Sequence, residues 1–187
     1  MTAEDLKKEL RLYADFEKAN LLQRFFKTGK GQYGEGDIFI GVIVPNIRKV
    51  AKKYIELQLS ETKKILYSKV HEERLCVLLI LVEKLTMVSF MNKDHSQIKN
   101  QFYITKEIFN FYIKNARQVN NWDLVDLSAP KIVGEYLLNK NKSILYKFAK
   151  SINLWEKRIA VLSTFTFIKN GQYKDSLKIN DLLLSQT

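Results

Sequence analysis

Cysteine, proline and histidine are nearly missing from this chain of 187 residues, which holds one Cys, two Pro and two His. The lone Cys76 cannot close a disulfide within the chain. Inside the apolar run Leu75–Val82 it reads as a small core hydrophobe, because burial raises a thiol pKa and disarms it as a nucleophile. His71 and His95 lie far apart, and no cluster of Cys or carboxylates has metal-ligand spacing, so no metal site is expected. The same apolar run is too short to span a bilayer, and Met1–Lys8 has no signal-peptide core. No membrane partner is expected, and a reducing cytoplasm fits a chain with one thiol.

Strand signals are missing as well. Apolar residues recur at three and four in long stretches of Leu, Lys, Glu and Ile, which predicts an all-α protein. The length suits one core, and residues 1–187 are read as a single domain and a monomer. Acidic residues are in deficit: 31 Lys plus Arg face 20 Asp plus Glu, a formal charge of +11. Such a field attracts polyanions, and nucleic acid is the leading partner; scattered surface lysines kept for solubility are the plainer explanation.

Glycine is scarce outside one place. Five of the seven fall between Gly29 and Gly41, which marks one long loop, functional or merely connecting. It lacks the Gly-Lys-Ser/Thr ending of a phosphate-binding P-loop, yet Lys27 and Lys30 could approach phosphates.

Helices are predicted from a Thr2 cap to about Phe16, about Glu17 to Lys27, Pro45 to about Leu57, and Ser60 to about Ser68. Leu21, Leu22, Phe25 and Phe26 are expected to form the buried side of the second. Further helices run from His71 to Met91 and, after a polar break at Asn92–His95, from about Ser96 to Asn115. The next opens at Asn120, is kinked or restarted by Pro130 and reaches about Leu138. Lys142–Lys150, Leu154–Ile168 and, after a stop at Gly171, Lys174–Leu184 complete the series.

Short paired helices suggest a solenoid, and Glu73–Leu78 is echoed by Lys157–Leu162, at twice the spacing of a HEAT-type unit of about 40–47 residues. The basic candidates for a surface that a duplex could lie against are Lys27, Lys30, Arg48, Lys49, Lys157 and Arg158.

The focal stretch is Asn120–Ser128. Trp122 and Asp126 stand four residues apart on one helical face, away from the side carrying Leu124, Val125 and Leu127. Trp155 and Arg158, three apart, repeat the pairing of an aromatic plane with a polar head, and the two faces could line one cleft. The structural alternative makes Asn121 an N-cap, Asp123 a first-turn acid and Trp122 ordinary core.

Trp122-Asp123-Leu124-Val125-Asp126, followed by Trp155-Glu156-Lys157-Arg158-Ile159-Ala160, resembles the DNA alkylation repair family, the AlkD-like DNA glycosylases built from HEAT-like repeats. Phe26–Asp37 is similar to one branch of it. The resemblance implies excision of N3- or N7-alkylated purines from double-stranded DNA without metal or organic cofactor, Asp126 being the catalytic carboxylate. It further implies that Trp122 packs on the lesion-bearing nucleotide, Arg158 contacts the DNA backbone, and Trp155 supports that helix. Phe25 stands where some members carry tyrosine, and Asn121 where some carry a second tryptophan. The chain is expected to stop short of the family's last repeat. The rival reading is a non-catalytic helical-repeat module that binds DNA or a protein partner.

Overall fold

The computed structural model describes residues 1–90 and 98–185. The expected break at Asn92–His95, with His95 itself, lies outside the described residues. Among those that are described, the regular structure is helical and no strand forms; a lone backbone pairing joins Ile38 and Val70. The chain divides into two compact units, Met1–Lys84 and Leu85–Thr187.

In the first unit α1 spans Ala3–Arg11. The Thr2 hydroxyl accepts from the Asp5 amide at 3.2 Å, and the Asp5 carboxylate accepts from the Thr2 amide at 2.9 Å. This reciprocal cap satisfies two amides that would otherwise lack partners. Leu6 and Leu10, four apart, are fully buried where α1 packs on α3 (Val44–Lys53) and α4 (Leu59–Leu66).

The helix stops well before Phe16 because Asp15 caps the next one, α2 (Phe16–Phe25), by accepting from the Lys18 amide at 3.0 Å. The buried side expected for α2 is only partly right. Leu21 and Phe25 are 65% and 63% exposed, whereas Phe26, just past the helix end, is 6% exposed. The chain leaves its helical path there, with Lys27 at φ +50°. That turn sends Phe26 into a stack with Phe39 and towards His71, so the helical phase of Leu21 and Phe25 no longer governs what is buried.

The glycine-rich loop is stapled from below by α5, which spans His71–Phe90. The buried Glu72 carboxylate accepts from the amides of Ile40, Gly41 and Val42 at 2.8–3.3 Å. Asp37, also buried, receives His71 Nδ1 at 3.1 Å and lies 2.6 Å from an Arg74 nitrogen, within ion-pair distance. Gly41 sits at φ +81°, and a Cβ there would come 2.0 Å from the carbonyl of Asp15; only glycine fits this approach. At the tip, the amides of Gly29 and Gly31 are satisfied by Gln32 and Glu35 side chains, so the tip does not offer them as a phosphate cradle. Cys76 is fully buried within α5, and burial pushes its thiol far up.

The second unit is built around α10 (Leu154–Lys169), which buries Ile159, Ala160, Ser163, Thr164 and Phe167. Removing a side chain the size of Phe167 from water contributes about 2–3 kcal/mol. Against it pack α7 (Trp122–Ala129), α9 (Ser143–Ala149) and α11 (Lys174–Leu184), with α6 (Ile98–Lys114) beyond. The helix begun by α7 continues through a π-helical turn at Pro130–Gly134 into α8 (Glu135–Leu137). Pro130 has no amide to give to the Asp126 carbonyl one turn earlier, and the wider turn absorbs that missing bond. Gly134 lets α10 come close: a Cβ would meet the Ser163 carbonyl at 2.6 Å.

Candidate active site

The starts of α7 and α10 are both set by asparagine caps. Asn121 Oδ1 accepts from the Trp122 amide at 2.8 Å. Asn153 Oδ1 accepts from the amides of Trp155 and Glu156 at 2.9 and 3.1 Å. Each cap fixes the first turn, and with it the direction in which an indole leaves the helix. Both Trp122 and Trp155 are half-buried.

Leu124 and Val125 are buried on the core side of α7, and Asp126 turns away from them. Ser128, also buried, accepts or shares a proton with the Tyr112 hydroxyl at 2.9 Å and donates to the Leu124 carbonyl. That hydroxyl pair ties α7 to α6 and burial pushes the Tyr112 phenol well up.

Asp126 meets Arg158 across the α7–α10 contact. Nε donates to Oδ1 at 2.7 Å and a terminal guanidinium nitrogen donates to Oδ2 at 2.6 Å. This is the two-pronged geometry that suits a planar guanidinium and a carboxylate. The side chains are 37% and 33% exposed for Arg158 and Asp126, so solvent screens the pair and its contribution to stability is at most about 1 kcal/mol. Accepting hydrogen bonds from the guanidinium, Asp126 pushes the Arg158 pKa up, against the smaller effect of burial.

Of the residues expected from the sequence, Asp126 and Arg158 are thus brought into contact, and Trp122 and Trp155 stand at the starts of the same two helices. Phe25, Lys27, Lys30 and Arg48 belong to the first unit, where all four are exposed. Glu156, not among the residues expected from the sequence, also joins the start of α10 to the turn before α7. Its carboxylate receives the Ser151 hydroxyl and, at 3.2 Å, Nε of Arg117. The acid three residues after the Asn153 cap was a visible signal for it; Arg117 had none beyond its charge. Among the described residues no group of three or more His, Cys, Asp or Glu side chains is placed to hold a metal ion, and no helix is long and apolar enough to cross a membrane.

Helical regular structure among the described residues, with a half-exposed carboxylate–guanidinium pair on two helices that each carry an indole in the first turn, defines an all-α protein whose polar site is shared by two adjoining helices. The chain belongs to the DNA alkylation repair enzyme family, whose model matches residues 6–187. Membership assigns it to DNA repair, with DNA as its substrate. Comparison with curated proteins gives no match.

Proposed function

We propose that this protein is a DNA glycosylase that hydrolyses the N-glycosidic bond of N3- and N7-alkylated purines in duplex DNA. The observation that carries the reading is the Asp126–Arg158 pair, half-exposed and four residues from Trp122 on one helical face.

An alkylated purine is already cationic. When its C1′–N bond breaks, the bonding electrons go to the base and neutralise it, so no acid needs to protonate the leaving group. The sugar left behind is an oxocarbenium-like cation. A carboxylate beside it stabilises that charge and orients the water that adds to C1′, with one water proton passing to the carboxylate or to solvent. The indole face of Trp122 favours a cation in the same place. Arg158 holds both oxygens of Asp126 in the free protein, and a DNA phosphate competes for the same guanidinium. Drawing Arg158 toward phosphate would free the Asp126 charge for the sugar.

The helices are read as HEAT-like repeats, and the exposed Phe25, Lys27, Lys30 and Arg48 of the first unit as DNA contacts that position a strand without reading sequence. The second reading, a module that binds DNA without cutting it, draws support from one observation: both Asp126 oxygens are already engaged.

The deciding experiment measures free base released from duplex DNA carrying N7- and N3-methylpurines, with the wild type, Asp126→Asn and buffer alone compared. Release that depends on Asp126 supports the glycosylase. Tight duplex binding with no release above buffer sinks that reading in favour of the binding module.

A further inference from the structure

Arg117 lies in a 3-10 turn, Ala116–Gln118, ahead of α7. Its backbone is fixed on both sides: Ala116 and Val119 are buried, and the amides of Gln118 and Val119 bond back to Asn115 and Ala116 at 2.9 and 3.0 Å. The side chain of Arg117, by contrast, is 72% exposed. Among the described residues it reaches Glu156, 39 residues on, through Nε. Glu156 is a firm anchor, 13% exposed, held by the Ser151 hydroxyl in the capped first turn of α10.

An exposed ion pair of this kind adds little to stability, and it costs the rotamer freedom of a long side chain. What the arrangement does achieve is a guanidinium aimed in advance, with the four N–H donors of its two terminal nitrogens unclaimed among the described residues. Glu156 precedes Arg158 by two residues on α10. Each arginine is therefore tethered by Nε to a carboxylate along the α7–α10 region, Arg117 to Glu156 and Arg158 to Asp126.

We propose that Arg117 is a second phosphate-binding arginine of this site, held by Glu156 so that its outer edge receives a phosphate of duplex DNA. The inference rests on the reading that α7 and α10 face the DNA. Phosphate is the occupant that the chemistry favours, because the family acts on DNA and a preset planar fork suits phosphate oxygens better than a mobile ammonium does.

The test is binding of a short, unmodified, fluorescein-labelled duplex, followed by anisotropy over a series of salt concentrations, for the wild type, Arg117→Ala and Arg117→Lys. Base release from methylated duplex is measured alongside. Arg117→Ala is expected to weaken binding several-fold and to flatten the slope of log K against log salt by about 0.9, the loss of one phosphate contact. Arg117→Lys is expected to keep the wild-type slope but bind more weakly, having the charge without the fork. Wild-type affinity and slope in Arg117→Ala, with Asp126-dependent release intact, overturn this inference alone. A wild type that binds no duplex overturns both this inference and the function on which it rests.

Discussion

The Thr166 hydroxyl on α10 donates to the carbonyl of Pro130 at 2.8 Å, in the π-helical turn that follows Asp126. A proline carbonyl and a threonine thus fix the register of α10 along the helix that carries the candidate carboxylate. The close approach at Gly134 acts a turn further on. Together they settle which residue of α10 faces Asp126, and that residue is Arg158.

Gly134→Ala should show how much that register matters. Gly134 has helical backbone angles (φ −61°, ψ −51°), so alanine would ordinarily help the helix. Here its Cβ would meet the Ser163 carbonyl and the Thr166 side chain at 2.6 Å, and the clash outweighs propensity. A loss of about 1–3 kcal/mol is expected in denaturant unfolding, with a larger fractional loss of base release than of duplex binding. An unchanged midpoint would show that α10 can move away freely.

Asp126→Asn should keep the fold and lower base release by about 100-fold or more, the scale seen when one charge-stabilising group is removed from a transition state. One amide oxygen can still accept from Arg158, so duplex affinity should change far less. Single-turnover release and anisotropy on the same preparation would separate the two effects; an equal fall in both would mean that Asp126 serves binding rather than chemistry.

Glu72 makes stability depend on pH. Burial raises its carboxyl above the ordinary 4.5, in spite of the backbone amides that favour the charged form. A group with a raised pKa in the folded state contributes stability that is fully present below its unfolded pKa and lost as pH rises through the folded value. Glu72→Gln, which cannot titrate, should therefore gain stability relative to the wild type as pH rises from about 4.5 upward. Thermal melts of both proteins across that range test the sign, and a difference that does not vary with pH contradicts it.

Cys76 should resist thiol reagents in the native protein and react once the protein is unfolded, since it is fully buried and its thiol is pushed far up. Labelling at increasing denaturant should follow the unfolding curve. Fast labelling without denaturant would mean that α5 opens locally.

Much of the helix pattern is local and therefore legible in the sequence. Lys174–Leu184 falls where periodicity and the Gly171 stop put it, and Pro130 marks the irregular turn. Leu21 and Phe25 depart from the expected buried side because apolar residues at helical spacing announce a stripe without saying whether anything packs on it. In the event, α2 leaves that stripe largely open and the turn after it buries Phe26. The polar side chains of His71, Glu72, Glu73 and Arg74 open α5 and are all buried. Nothing in their order distinguishes them from a solvated first turn.

The sequence by itself determined that the chain is helical, where most helices begin and end, and that Trp122 and Asp126 share a face, because capping and a 3.6-residue period act over a few neighbouring residues. Only the tertiary structure decided that Asp126 is gripped by Arg158, that Glu156 restrains Arg117, and that the glycine-rich loop hangs on Glu72. Those pairs lie more than thirty residues apart in sequence. They meet because buried apolar faces set how helices pack, a choice that no short stretch of chain can make alone.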